Sequence, residues 1–109
     1  MNSESWSDFW RNHGSRKQVA DEQTQVLRTS NGQPISQELW RFTLQEIDRV
    51  FPVGNDDEVL DLCCGNGLFA AHFAMRCKRV QAIDVSPDLL AAVKRRNMPN
   101  VSALCMDVR

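Results

Sequence analysis

The sequence predicts an α/β fold: the first β-α-β-α-β half of a doubly wound parallel sheet, preceded by N-terminal helices. Three observations predict it. Residues 59–63 (VLDLC), 79–83 (RVQAI) and 101–106 (VSALCM) are short apolar runs of the kind that sit inside a parallel sheet. The two stretches between them repeat apolar residues at helical spacing. Each run carries an aspartate at or near its C-terminal end, Asp61, Asp84 and Asp107, at regular intervals of 23 residues. Strands alternating with helices in this order imply parallel pairing through right-handed crossovers.

Before the first strand, Trp6, Phe9 and Trp10 fall on one side of a short helix that Asn12-His13-Gly14 ends. Residues 15–35 are polar apart from Gln25-Val26-Leu27, with Asn31-Gly32 and Pro34 as turn signals, and read as mostly loop with a short helical piece. Ser36 is placed to cap a helix running to about Val50, in which Leu39, Thr43, Ile47 and Val50 recur at helical spacing beside Phe42. Pro52, Gly54 and the acidic run 56–58 end it.

Beyond the first strand, Cys64-Gly65-Asn66-Gly67 is a tight turn leading into a helix over 68–75, where Leu68/His72/Met75 and Phe69/Phe73 share sides. After the second strand, Ser86 is an N-cap with Pro87 at the first helical position and Asp88 at the second. Leu89, Leu90 and Val93 then face inward. Lys94-Arg95-Arg96 and Asn97 close the helix, each charge suiting its end of the macrodipole.

At 109 residues the chain is one domain at most, with a helical segment over 1–54 and the sheet portion over 55–109. Basic and acidic residues number 6 and 7 in the first part and 7 and 7 in the second, so no basic face points to nucleic acid or anionic lipid. A small-molecule partner is favoured instead. The first twenty residues hold Glu4, Asp8 and Arg11 and no apolar block, and the uncharged run 62–75 is too short to span a bilayer, so a cytoplasmic protein away from membranes is expected. Cys63, Cys64, Cys77 and Cys105 show no C-x-x-C spacing and read as small, buried, reduced residues rather than a metal or disulfide framework.

Ligands of open α/β sheets bind at the C-terminal ends of the strands, where the three aspartates converge. The Gly65-Asn66-Gly67 turn admits a close backbone approach that a Cβ would block. A dinucleotide fingerprint would have a third glycine to seat a pyrophosphate. Here that glycine is missing and Asp61 precedes the turn, which suits a ligand carrying an ammonium and a sulfonium. Asp84 stands where such folds grip ribose hydroxyls. Asp107 is placed to accept from an exocyclic adenine amine, with Val85 and Met106 flanking the ring.

The segments VLDLCCGNG, AIDVSPDLL and ALCMD resemble the first three motifs of the class I (Rossmann-like) S-adenosylmethionine-dependent methyltransferases. The resemblance covers roughly residues 59–107, about half of the chain. It implies that S-adenosylmethionine is the cofactor. The loop Asp61, Cys63, Cys64, Gly65, Asn66, Gly67 would line its methionine end, with Asp61 near the amino group, Asp84 on the ribose and Asp107 at the adenine amine. Residues 25–36 also look like the lead-in of some bacterial members, which would bring Arg28 to the methionine carboxylate. One departure is Cys63, where the family's acid-x-Gly-x-Gly-x-Gly pattern has its first glycine. A thiol is small, and adjustment rather than loss of binding is expected.

Each of these residues also has a plainer reading: isolated aspartates cap strands and turns, His72 is a satisfied histidine, His13 a helix-end residue, and 94–96 a solvated helix end. No general base stands out, which suits transfer from an already activated sulfonium. Two other classes remain, a non-catalytic cofactor-binding module and an NAD-binding oxidoreductase half. Because the doubly wound order places a fourth strand beside the first and this sequence contains none, it is expected to be a fragment of a protein of about 200–250 residues, inactive alone. The edge of its first strand is then open to self-association. The methyl acceptor and the catalytic residues are not legible.

Overall fold

The structure, a computed structural model, describes residues 5, 8, 9, 11, 21, 22, 26, 29, 30 and 33–108. Its elements in chain order are β1 (Thr29–Ser30), β2 (Gln33–Pro34), α1 (Gln37–Val50), β3 (Glu58–Leu62), α2 (Leu68–Ala74), β4 (Arg79–Asp84), α3 (Pro87–Arg95) and β5 (Val101–Cys105). The strands β3, β4 and β5 form a parallel sheet in that order, with Leu62 opposite Ile83 and Ile83 opposite Leu104. This is the expected β-α-β-α-β unit.

The caps form as the sequence requires. Ser36 Oγ accepts from Leu39 N at 3.0 Å and Ser86 Oγ from Leu89 N at 3.3 Å. Each satisfies one of the amide groups that a helix start leaves without a partner. At the far end of α2, Asn100 Nδ2 donates to the carbonyls of Ala74 and Cys77 at 2.8 and 3.3 Å, tying the helix end to the turn before β5.

Five boundaries move by one residue, among them the end of β4, which runs on to Asp84. The first strand spans 58–62 rather than 59–63, because Cys63 turns into the left-handed region with φ 58°. Met75 caps α2 instead of extending it, and β5 stops at Cys105. The segment expected to be mostly loop contains a small antiparallel pair, Thr29 with Pro34 and Ser30 with Gln33, flanking the Asn31-Gly32 turn signal. Of the expected first helix, Asp8, Phe9 and Arg11 are helical and Phe9 N donates to Ser5 O at 2.9 Å. Trp6, Trp10, His13 and Gly14 lie outside the described residues.

The core forms on one face of the sheet. Ala70 of α2 and Leu90 and Val93 of α3 pack on Val80 and Ala82 of the central strand, with Cys64 closing the top and Val59, Phe73, Val101 and Ala103 at the margin. Full burial of one such aliphatic side chain is worth roughly 1.5–3 kcal/mol. Helix α1 buries none of its residues fully. Leu39 and Val50, which recur at helical spacing, and Phe42 beside them are about half exposed. Its contact with the body runs through the Trp40 and Phe69 rings, 5.2 Å apart, and through Asp48 Oδ1 and His72 Nε2 at 2.7 Å.

Candidate functional site

The C-terminal ends of β3 and β4 are held together by the loop that leaves β3. Cys63, Gly65 and Gly67 all have positive φ, 58°, 61° and 88°. This repeated left-handed turning folds the loop back onto the sheet. A side chain at Gly65 would put its Cβ 2.9 Å from Val26 Cγ1, and one at Gly67 would put it 3.0 Å from Val93 Cγ2. Both glycines are therefore required by space as well as by dihedral angle.

Asp84 is the hub of this arrangement. Its carboxylate is buried, with Oδ2 accepting from Gly65 N at 2.8 Å and Oδ1 from Ser86 N at 3.0 Å. Its own carbonyl accepts from Met106 N at 2.9 Å, and Cys64 N donates to Ile83 O at 2.9 Å. The ends of three strands and the glycine loop are thereby locked to one residue. Each carboxylate oxygen can accept about two hydrogen bonds, and one from the backbone leaves capacity for a hydroxyl donor on each.

The other expected residues fall around this hub. Asp61 pairs in register with Ala82, one residue before the end of β3, and is half-buried. Cys64 lies between the two acids: burial first, then the charges of Asp61 and Asp84, push its thiol far above the ordinary value. It is therefore a protonated core residue and no nucleophile. Of the four cysteines expected to be buried only Cys64 is: Cys63, the first residue after β3, and Cys105, the last of β5, are exposed, and Cys77 is half-buried. Val85 is half-buried, Met106 is 45% exposed, and Asp107 is exposed just beyond β5. Arg28 lies outside the described residues.

The loop amides decide which ligand chemistry fits. A pyrophosphate cradle needs the glycine amides free to donate. Here Gly65 N–H is committed to Asp84, and Gly67 N–H to Cys64 O at 3.2 Å. With two carboxylates beside them, the edge suits hydroxyl and ammonium donors. Among the described residues no group of three or more His, Cys, Asp or Glu is arranged to hold a metal ion.

Asn66, 1% exposed, reaches across to the N-terminal segment, and a further set of partners appears there that the sequence did not reveal. Its Nδ2 donates to Glu22 O at 2.9 Å. Arg96 Nε donates to Asn66 O at 3.0 Å while Arg96 Nη2 pairs with the Glu22 carboxylate. Arg96, expected to be a solvated helix end, is instead a junction whose side chain is only 21% exposed. No local signal marks contacts 30 and 74 residues apart.

Comparison with known proteins places this geometry. Residues 59–109 match a family model described as a methyltransferase domain. An uncharacterized methyltransferase of Schizosaccharomyces pombe is 36% identical over 50 residues, 46% of this chain and 19% of its own length. Phosphoethanolamine N-methyltransferase 1 of Haemonchus contortus, solved with phosphoethanolamine and S-adenosylhomocysteine, superposes with a TM-score of 0.71 at 20% identity, over 91% of this chain and 20% of that one. Coclaurine N-methyltransferase, bound to N-methylheliamine and S-adenosylhomocysteine, gives 0.54 at 28% identity, over 62% of this chain and 22% of that one. The chain thus spans about a fifth of each relative's length.

Proposed function

We propose that this chain, whose residues 59–109 belong to the class I S-adenosylmethionine-dependent methyltransferase family, carries the cofactor-binding part of an enzyme that methylates a small molecule. The observation that supports it most is the commitment of the Gly65 and Gly67 amides to Asp84 and Cys64. That pattern favours a ligand read by carboxylates over a dinucleotide read by free amides.

In this reading residues 55–109 bind the cofactor and residues 1–54 cover it. Asp84 takes the ribose hydroxyls on the lone pairs its backbone donors leave open. Asp61 lies toward the methionine ammonium, with Cys63, Cys64, Gly65, Asn66 and Gly67 lining that end and Arg28 answering the carboxylate. Asp107 accepts from the adenine amine, and Val85 and Met106 flank the ring. Bound there, the cofactor supplies a methyl group on a positively charged sulfur, ready for in-line transfer. The residues named here bind and orient, which is the main contribution such a transfer asks of a protein. The balanced charge of the chain supports a small acceptor, and the charged first twenty residues, with no apolar block, support a cytoplasmic location; no helix among the described residues is long and apolar enough to cross a membrane.

Isothermal titration with S-adenosylhomocysteine, beside NAD, tests this reading. Saturable binding of the first and none of the second is expected. Asp84→Asn should abolish binding; its amide oxygen can accept from only one of Gly65 N and Ser86 N while its NH2 faces the other, so circular dichroism and the melting midpoint are read beside binding to show the fold retained. The alanine variant is a poor test, because it would strand two backbone amides at a cost of about 1–3 kcal/mol each. Binding of NAD that S-adenosylhomocysteine does not displace would replace this reading with a dinucleotide one.

A further inference from the structure

We infer that Arg96 is a positioning residue that latches a strap from the N-terminal part of the chain over the glycine loop, and that cofactor retention depends on this latch. The inference rests on the cofactor reading above. Four contacts carry it. Arg96 Nε holds Asn66 O at 3.0 Å, Arg96 Nη2 holds the Glu22 carboxylate, Asn66 Nδ2 holds Glu22 O at 2.9 Å, and Val26 fills the space beside Gly65.

One guanidinium thus bonds the loop and the strap at once, through separate nitrogens. Only arginine does this: its planar fork offers donors on Nε and both Nη atoms, whereas a lysine ammonium is a single point. The three residues also close a ring, because Asn66 and Arg96 both hold Glu22, one by its backbone and the other by its side chain. Opening the strap breaks two contacts to Glu22 and uncovers Gly65. The loop carbonyl at Asn66 then keeps only the Arg96 bond on that side.

The latch is graded by exposure. Asn66 is 1% exposed, while the Arg96 and Glu22 side chains are 21% and 58% exposed. The loop end is therefore firm and the strap end weak, since exposed ion pairs contribute little and are screened by salt. A firm loop with a weakly held cover is the arrangement expected of a strap that opens to admit and release ligand, with the loop staying formed.

The test uses the whole chain. Stopped-flow or surface-based kinetics with S-adenosylhomocysteine give association and dissociation rates, and amide hydrogen exchange follows the ligand-free protein. Glu22→Gln keeps size and removes charge; dissociation should quicken about threefold, association should be unchanged, and the difference should shrink as salt is raised. Arg96→Leu removes both arms and should quicken dissociation about tenfold. Arg96→Lys, able to reach one partner, should fall between.

Exchange should rise at Glu22 and Val26 for both variants and in 64–67 for Arg96→Leu, with β4 unchanged. Wild-type rates and exchange in both variants would overturn the latch. Exchange raised evenly over β3, β4 and β5 would also overturn it, by showing Arg96 to be a general support of the fold. If the unaltered chain fails to bind S-adenosylhomocysteine, the cofactor reading falls. In that case exchange confined to the strap and loop still establishes the latch as a closing contact, and its absence removes that too.

Discussion

Cys63 holds a backbone angle, φ 58°, that an L residue reaches only by crowding its Cβ against the following carbonyl, at roughly 1–2 kcal/mol. The strain sits at the residue that departs from the family's glycine pattern. Replacing it by glycine relieves the crowding and costs a similar amount of chain entropy, so Cys63→Gly should leave the melting temperature nearly unchanged. A β-branched side chain fits this region worse than a thiol, so Cys63→Val should destabilise by about 1–2 kcal/mol. Equal melting temperatures for the two variants would show that the loop relaxes to accept either. The neighbouring thiol makes a second prediction. Cys64 is raised from its ordinary 9.0 by burial and then by Asp61 and Asp84, so the folded chain keeps a proton that the unfolded chain gives up above that pH. The stability this contributes is complete below pH 9 and is lost above it, by up to about 1.4 kcal/mol per pH unit. Denaturant midpoints measured from pH 7 to 10 should fall more steeply for the unaltered chain than for Cys64→Ala, in which every other cysteine is kept. Parallel slopes would remove the argument.

At the scale of elements, what was legible was what is local. Helix α3 could be placed from Ser86, Pro87, Asp88 and Lys94 because a cap, a fixed φ and the macrodipole each act within one turn. The parallel strands could be placed from apolar runs, since burial on a parallel sheet leaves that mark. The pair β1 and β2 could not, because two residues have no periodicity to read. The docking side of α1 was not legible for a related reason: its apolar pattern is broad, and the docking side is chosen by Trp40 against Phe69 and Asp48 against His72, partners 24 or more residues away. Docking is correspondingly light. Asp48 also lies 3.5 Å from Arg76, and His72 bonds Arg76 Nη1 at 2.9 Å, so the three side chains join α1 to α2. Asp48→Ala should lower stability by about 1 kcal/mol, a drop of about 4 °C or more in melting temperature. An unchanged midpoint would mean that the aromatic contact holds α1 unaided. The same division runs through the site: Asp84 was placed by its strand end, whereas the Glu22, Asn66 and Arg96 ring joins residues that no local pattern connects.

Among the described residues the sheet is covered more fully on one side than on the other, where of the apolar side chains Ile83 is buried but its neighbours are not. Val80 and Ala82 face the two helices and are fully buried, while Leu60, Leu62 and Leu104 on the opposite face are 59%, 52% and 46% exposed. Parallel sheets occur almost only with both faces covered, because their strands are apolar on both sides. Among the described residues β3 also pairs with β4 alone, which leaves a row of backbone groups along its other edge. The 109-residue chain in solution therefore presents an apolar face beside an open strand edge, and such surfaces associate or bind hydrophobic probes. We expect it to enhance the fluorescence of anilinonaphthalene sulfonate and to gain apparent mass with concentration in sedimentation equilibrium. Leu60→Thr with Leu62→Thr places β-branched strand formers on β3 while removing apolar area from that face. The double variant should reduce both signals while the circular dichroism spectrum is kept, because neither leucine touches the core on the helical side. A double variant with undiminished dye binding would move the responsible surface to the exposed Leu39, Phe42 and Val50 of α1. A double variant that stays associated but binds less dye would assign self-association to the backbone edge of β3 rather than to the face it adjoins.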